Sequence, residues 1–238
     1  TDDSIMSLAV AQAILLSKPD YSDLAKNAVE CMQSVGRNYP NCGYGGVFYN
    51  WVFSDNPQPY NSYGNGAAMR VSAAGFAAES SEEAKKISKL VTEVTHNHPE
   101  GIKGAQAIAA CIYMAKDGKS KDEIRDYVIK NFYNLDRSID QISEEGTWGC
   151  TCMVTVPVAI QAFLESTDFE DAIRNAISVG GDTDTNAAMA GSIAWSFYKR
   201  HNGDALTTDM NCMIEKVKDI IPREMLKVIK SFERIVSK

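Results

Sequence analysis

The stretch SVGGDTDTNAAMAGSIAW, residues 178–195, joins an acidic turn to a long apolar segment. Two glycines permit a tight turn, two aspartates follow it, and residues 187–200 are nearly apolar throughout. A helix that is apolar on all sides is buried in the core. The stretch therefore predicts a core helix that begins at a cluster of carboxylates. One aspartate would suffice to cap such a helix, so the second carboxylate requires another explanation.

Helical signals extend along the rest of the chain. Further apolar helices are predicted at residues 4–17, 104–116 and 153–165. Capping patterns pair Ser80 with Glu83, Ser120 with Glu123 and Thr167 with Glu170. Pro222 fits the first turn of a last helix that runs to about residue 237, and the best strand candidate, residues 47–53, is short and isolated. We therefore predict an all-α, multi-helix fold and a single domain over residues 1–238.

Composition excludes several classes of function. The chain has 238 residues, 45% of them hydrophobic, and a net charge of −7, which argues against a nucleic-acid partner. No stretch reaches the roughly 18 apolar residues that a membrane span needs, so we expect no membrane partner. Six cysteines without a CxxC pair indicate free thiols in a reducing compartment. We expect a cytoplasmic monomer, and a fragment of a longer product because the chain begins inside a motif.

The acidic turn has a counterpart at the other end of the sequence. Thr1, Asp2 and Asp3 again precede an apolar helix, as Asp182 and Asp184 do. Carboxylate and hydroxyl oxygens are ligands that suit Mg²⁺ or Mn²⁺, and four carboxylates could hold two divalent ions side by side. The alternative is that the two clusters are independent helix caps. Spacing alone leaves both interpretations open.

A long irregular region, residues 38–69, is rich in Gly, Asn, Pro and Tyr, which is typical of a functional loop. Backbone amides at residues 64–67, leading into a helix at about Ala68, could form an anion cradle, or only a turn before a helix. Arg70 could pair with phosphate or with a structural carboxylate, and we favour the structural role. Candidate aromatic surfaces for an adenine are Tyr44, Phe48, Tyr60, Tyr63 and Trp148.

Four motifs occur in the order found in one known family. They are TDDSIM at 1–6, YGNGAAMRV at 63–71, VTHNHPEG at 94–101 and GGDTDTNAAMAG at 180–191. On these motifs the chain resembles the ADP-ribosylglycohydrolases over essentially its whole length. The resemblance implies an all-α, orthogonally packed fold with a binuclear Mg²⁺ or Mn²⁺ centre.

The resemblance also implies roles for individual residues. The implied metal ligands are Thr1, Asp2, Asp3, Asp182, Asp184 and Thr185. The four aspartates among them are the implied catalytic residues. The implied substrate-binding residues are Gly64, Asn65, Gly66, Ala67, Ala68, Met69, Arg70, His96, Trp148 and Gly149. His98 receives no role.

The implied activity is metal-dependent hydrolysis of the bond between ADP-ribose and a modified protein side chain, arginine above all. Two alternatives remain: a hydrolase of small ADP-ribose derivatives such as O-acetyl-ADP-ribose, and a non-catalytic member that binds ADP-ribose. A structural protein has no physical need for four clustered carboxylates, which favours the enzyme. The family's glycine-rich segment before the TDD motif has no counterpart in the sequence, so we expect the longer parent protein to be the active form.

Overall fold

A computed structural model describes residues 1–201 and 208–236, which form α-helices joined by loops. These residues contain no β-strand, only an isolated bridge between Gly64 and Thr151, so the all-α prediction is confirmed for them. The helices are α1 (Asp2–Ser17), α2 (Leu24–Arg37), α3 (Gly46–Phe53), α4 (Ser72–Ala77), α5 (Ser81–Thr92), α6 (Pro99–Lys116), α7 (Lys121–Asn131), α8 (Ile139–Glu145), α9 (Cys152–Glu165), α10 (Phe169–Ser178), α11 (Thr183–His201), α12 (Thr208–Ile220) and α13 (Arg223–Val236). A 3₁₀ turn covers Asn65–Ala67.

The core is built from the apolar helices that the sequence predicts. Helix α11 packs against α6, α9 and α10, and α1 packs against α2, α4 and α13. The side chains of Met6, Ile112, Phe163 and Met189 are fully buried among them. Burial of this apolar surface holds the helix starts in place, since it removes the helices' apolar faces from water. None of the described helices is long and apolar enough to cross a membrane.

Most predicted helix caps are confirmed, and one cap lies one residue later in the chain than predicted. Ser120 and Glu123 form a reciprocal capping box, and Ser80 accepts a hydrogen bond from the amide of Glu83. At the start of α10 the predicted pair Thr167 and Glu170 is wrong, because Asp168 accepts from the amide of Asp171 instead. Four helices start one to five residues before the predicted points. Pro222 directly precedes α13, and residue 237 lies outside the described residues.

Residues 47–53, the best strand candidate, lie in helix α3. Phe48, Trp51 and Val52 are its buried side chains, and a spacing of three and four residues places them on one helical face. The rings of Phe48 and Trp51 stack at a centroid distance of 5.6 Å. Tertiary packing therefore overrides the β-propensity of this aromatic and β-branched run.

The cysteine prediction also holds. All six cysteines are free, and Cys31, Cys111 and Cys152 are buried. Burial raises the pKa of the Cys111 and Cys152 thiols to about 12, so both remain protonated. These side chains act as small apolar core residues.

Candidate functional site

The turn before α11 is fixed by two glycines in the left-handed region. Gly180 has φ of 71° and Gly181 has φ of 69°, a conformation that side chains with a Cβ rarely adopt. A Cβ at Gly181 would lie 2.5 Å from Thr147 Oγ1. The Thr147 hydroxyl lies within hydrogen-bond distance of the carbonyls of Val179 (3.1 Å) and Gly180 (3.0 Å), which holds this turn. The predicted tight turn is confirmed, and it fixes the backbone from which Asp182 and Asp184 project.

The start of α1 is held from a different direction. The amide of Asp2 donates to the carbonyl of Cys42 at 3.0 Å, which ties the helix to the loop before α3. The Thr1 hydroxyl donates to Asp3 Oδ2 at 2.8 Å, and no side chain caps the helix. The second oxygen of Asp3, Oδ1, is buried and has no hydrogen-bond partner among the described residues.

The two helix starts meet at one cavity of about 440 Å³. Thr1 and Asp2 line it from α1, and Asp182, Asp184 and Thr185 line it from the start of α11. Asp2 and Asp184 therefore line the same cavity, although they lie 182 positions apart in the sequence.

Burial and the charges of neighbouring carboxylates raise the pKa of Asp2 and of Asp184. Burial, then the neighbouring charges of Asp3 and Asp184, raise the pKa of Asp2. Burial, the hydrogen bond with Asp182 and the charges of Asp3 and Asp182 raise the pKa of Asp184. No ion pair among the described residues includes any of these four aspartates. The cluster is thus a concentration of negative charge without a paired cationic side chain.

The acidic side chains are not simple helix caps. Asp182 Oδ2 accepts a hydrogen bond from Asn65 Nδ2 at 2.7 Å, so this carboxylate reaches across the cavity to the glycine-rich loop. Together with the uncapped start of α1, this disfavours two independent caps. Within residues 1–201 and 208–236, no group of three or more His, Cys, Asp or Glu side chains stands ready to hold a metal ion. Asp2, Asp182 and Asp184 line a common cavity without closing on one point, whereas Asp3 is buried and does not line it.

Three of the four amides of the glycine-rich loop are not free to form an anion cradle, which agrees with the alternative interpretation, a turn. The amide of Gly64 donates to Ser62 Oγ at 3.1 Å, that of Asn65 to the carbonyl of Cys150 at 2.8 Å, and that of Ala67 to the carbonyl of Gly64 at 3.1 Å. An amide that already donates to a protein oxygen cannot also serve an anion without losing that bond. The loop instead supplies the Asn65 side chain and an open face at Gly66.

Free amides are found at the start of α3. The first hydrogen bond of this helix runs from the amide of Tyr49 to the carbonyl of Gly45 at 2.8 Å. The amides of Gly46, Val47 and Phe48 therefore have no helical acceptor, as at any helix N-terminus. These residues line the cavity, and no atom would contact a Cβ at Gly45 or Gly46. Sequence reasoning included this segment in the functional loop at 38–69 but assigned no role to its amides, although the glycine-rich run CGYGG at 42–46 signals one.

Arg70 and His96 form a buried pair behind the glycine-rich loop. Arg70 is 1% exposed, its Nη2 donates to Thr95 Oγ1 at 2.5 Å, and its guanidinium lies 5.2 Å from the centroid of the Phe48 ring. Its Nε has no partner among the described residues. The predicted structural role of Arg70 agrees with these contacts, except that its partners are a hydroxyl and an imidazole rather than a carboxylate. Arg70 and His96 also line the cavity.

The remaining predicted residues divide into two groups. Met69 lines the cavity, as do the aromatic candidates Phe48 and Tyr60, whereas Ala67 and Ala68 are buried behind it. Trp148 is 86% exposed, and neither it nor Gly149 lines the cavity. Their loop still contributes, because Cys150, which sequence reasoning missed as a site residue, lies on the wall.

Comparison with known proteins gives a consistent result. The sequence matches the family described as ADP-ribosylglycohydrolase over residues 1–200. It is 28% identical over 257 residues to the ADP-ribosylhydrolase ARH3 of Homo sapiens, an alignment that covers 83% of this chain and 70% of that protein. It is 27% identical over 221 residues to the ADP-ribosylarginine hydrolase Tri1 of Pseudomonas putida, covering 83% of this chain and 58% of that protein.

A solved structure shares the fold. It is called ADP-ribosylglycohydrolase-related protein complex, and it superposes with a TM-score of 0.64 at 20% sequence identity. The superposition covers all of this chain and 78% of that one. The helical architecture predicted from the sequence is thus that of a known fold.

Proposed function

This chain belongs to the ADP-ribosylglycohydrolase family, a family of enzymes that hydrolyse bonds to ADP-ribose, and we propose that it removes ADP-ribose from modified arginine side chains of proteins in a reaction that requires Mg²⁺ or Mn²⁺. The observation that carries the proposal is the meeting of two acidic helix starts at one cavity. The choice of arginine is supported by the similarity to the ADP-ribosylarginine hydrolase Tri1 of Pseudomonas putida.

The proposed metal ligands are Thr1, Asp2 and Asp3 from α1, and Asp182, Asp184 and Thr185 from α11. Their oxygens are the donors that Mg²⁺ and Mn²⁺ prefer. A divalent ion would relieve the carboxylate repulsion that raises the pKa of Asp2 and Asp184, and would give the orphaned Asp3 Oδ1 a partner. Side-chain rotation would have to bring the carboxylates closer together. When bound, such ions supply Lewis-acid polarisation and lower the pKa of a coordinated water.

We place the diphosphate of ADP-ribose at the start of α3. The free amides of Gly46, Val47 and Phe48 and the positive end of the helix dipole favour an anion there. The cationic Arg70 lies behind Phe48 and contributes positive potential. A diphosphate at this location leaves intact the hydrogen bonds that the amides of Gly64, Asn65 and Ala67 donate within the protein. Phe48 and Tyr60 are the aromatic surfaces that the same cavity offers to the adenine.

The chain's own groups suit hydrolysis at the ribose carbon next to the acceptor. Water adds to this carbon, the bond to the guanidine nitrogen breaks, and the nitrogen takes up a proton, so the products are ADP-ribose and arginine. The carbon becomes oxocarbenium-like as the bond breaks, and nearby carboxylates stabilise that positive charge. One of the carboxylates that line the cavity, such as Asp2 or Asp184, would accept the proton of the attacking water.

The test is release of ADP-ribose from an arginine-ADP-ribosylated protein, with Mg²⁺, with Mn²⁺ and with EDTA. The variant Asp184→Asn removes one carboxylate charge at nearly constant shape and should abolish metal-dependent release. Asp126→Asn makes the same change on the exposed face of α7, away from the cavity, and should match the unaltered protein.

Parallel substrates separate the alternatives. Serine-ADP-ribosylated protein and O-acetyl-ADP-ribose are supplied under the same conditions. Release from either of these but not from modified arginine would refute arginine as the acceptor. Tight binding of ADP-ribose without hydrolysis of any substrate would refute the enzymatic activity of this chain, and equal release in EDTA would refute the metal requirement.

A further inference from the structure

The cavity wall contains one imidazole whose protonation state is fixed by its neighbours. His96 follows α5, is 5% exposed, and lies between the Thr95 hydroxyl and the Arg70 guanidinium. Its Nδ1 is 2.7 Å from Thr95 Oγ1 and 3.3 Å from Arg70 Nη2. The other ring nitrogen, Nε2, has no hydrogen-bond partner among the described residues.

Arg70 determines whether His96 Nδ1 carries a hydrogen or a lone pair. The guanidinium remains protonated, since even burial lowers the pKa of Arg70 only to about 10, and it has donors but no acceptor. A hydrogen on Nδ1 would face the hydrogens of the Nη2 cation at 3.3 Å. A lone pair on Nδ1 can instead accept from Nη2 and from the Thr95 hydroxyl at 2.7 Å, a shorter contact than the 3.3 Å from this hydroxyl to the Thr92 carbonyl, and we take this arrangement as the favoured one. A neutral imidazole with a free lone pair on Nδ1 carries its proton on Nε2.

Nε2 is also the nitrogen that the glycine-rich loop leaves open. A Cβ at Gly66 would lie 3.2 Å from Nε2, and a Cβ at Gly64 would lie 3.7 Å from it. Both glycines line the cavity together with His96. Without those side chains, the Nε2–H group can reach an acceptor atom of a bound molecule.

We propose that Arg70 is a positioning residue that holds His96 as the Nε2–H tautomer, so that the cavity presents a permanent hydrogen-bond donor at this point and selects ligands with an oxygen acceptor there. The cation acts through the imidazole and not by contact with the ligand. The identity of the ligand, ADP-ribose, rests on the function proposed above, whereas the tautomer does not.

Burial and the Arg70 charge reinforce the arrangement. Both lower the pKa of His96 well below its usual range, because an imidazolium would be desolvated and would face a second cation. The ring of Tyr60 lies 5.6 Å from the His96 ring, and burial raises the pKa of the Tyr60 phenol, so no anion balances an imidazolium from that side. The donor at Nε2 is therefore a neutral one.

The decisive experiment is a long-range ¹H–¹⁵N spectrum of the full chain labelled at histidine, without ligand. The chain has only three histidines, and His96→Asn identifies the relevant signal. We expect the Nε2–H form, unchanged between about pH 5.5 and pH 8. An Nδ1–H form or an imidazolium in this range would overturn the proposal.

Two variants test the role of Arg70. Arg70→Met keeps an apolar stem and removes the donors, so the proton should shift toward Nδ1, where it can be donated to Thr95 Oγ1. Retention of the Nε2–H form in a variant that circular dichroism shows to be folded would overturn the role of Arg70. Thr95→Val is the second variant in case Arg70→Met does not fold. It leaves Arg70 as the donor to Nδ1, and a change of tautomer in it would overturn the proposal as well.

Calorimetric titration with ADP-ribose measures the consequence for binding. Loss of one well-placed donor should weaken binding about tenfold in Arg70→Met. His98→Asn is the matched control, because His98 caps α6 outside the cavity and Asn is also a good cap. Unchanged affinity in Arg70→Met despite an altered tautomer would overturn the selective role of the donor. Failure of the unaltered protein to bind ADP-ribose would instead overturn the proposed function and leave the tautomer assignment standing.

Discussion

Asp3→Asn should stabilise the metal-free protein and destabilise the metal-loaded one. Asp3 is 5% exposed, and its Oδ1 has no partner among the described residues while Oδ2 accepts from Thr1. An asparagine can keep the Thr1 bond with its oxygen. The substitution also removes the Asp3 charge that contributes to raising the pKa of Asp2 and Asp184.

The magnitude follows from the removal of a buried charge that lies near other carboxylates. A repulsion that shifts one pKa by one unit corresponds to about 1.4 kcal/mol. We expect Asp3→Asn to raise the free energy of unfolding in EDTA by about 1 kcal/mol, which raises Tm by about 2–4 °C for a chain of this size. An ion at 100 times its Kd stabilises the unaltered protein by about 2.7 kcal/mol. The variant lacks one ligand, so it should gain much less, and the order of stability should reverse in Mg²⁺.

The assay is urea and thermal unfolding followed by circular dichroism, in EDTA and in Mg²⁺. Asp126→Asn is the matched control and should follow the unaltered protein in both solutions, because its side chain is exposed on α7. If Asp3→Asn is less stable than the unaltered protein by the same amount in both solutions, Asp3 has a purely structural role and the reasoning is refuted. An equal gain from Mg²⁺ in both proteins would remove Asp3 from the ligand set.

Three further predictions test other parts of the site. Gly181→Ala should lose about 1–3 kcal/mol of stability, because its φ is 69° and its new Cβ would lie 2.5 Å from Thr147 Oγ1. Gly180→Ala has φ of 71° but no atom within 4 Å of the new Cβ, so it should lose only the conformational part. Equal losses for the two variants in urea unfolding would contradict the effect of the Thr147 contact. Gly46→Asp should weaken ADP-ribose binding at low salt about tenfold more than its neutral isostere Gly46→Asn, and equal affinities in calorimetry would remove the diphosphate from the start of α3. The pKa of His96 in the folded protein lies below the unfolded value near 6.5, so the unfolded chain binds the extra proton and the free energy of unfolding falls as pH drops below about 6.5. In His96→Asn, the free energy of unfolding measured in urea should depend less on pH in this range. An unchanged pH dependence would show that His96 is not the titrating group.

Part of the site could be read from local patterns. The apolar segments at 153–165 and 187–200 identified core helices because their hydrophobicity is continuous over several turns. The glycine pair before Asp182 identified the turn, since only glycine adopts a left-handed conformation at low cost. The four ordered motifs indicated the family, which the match over residues 1–200 confirms. The cation site at the doubled carboxylates stays a prediction.

Other features depended on which groups meet in three dimensions. Residues 64–67 have the composition of an anion cradle, but whether an amide is free depends on the carbonyl it meets, and the Cys150 carbonyl comes from a distant segment. The same holds for residues 47–53, where the packing of Phe48 and Trp51 selects a helix over a strand. Trp148 lies on a loop joined to the site, yet its ring points to solvent.

The sequence by itself determined the apolar core helices, the acidic helix starts and the family, because hydrophobic period, capping residues and motifs act over a few neighbouring residues. Only the tertiary structure decided that α1 and α11 open onto the same cavity, that the start of α3 carries its free amides, and that Arg70 faces His96. Those relations join segments far apart in the chain. Core packing fixes them, and no local pattern contains that information.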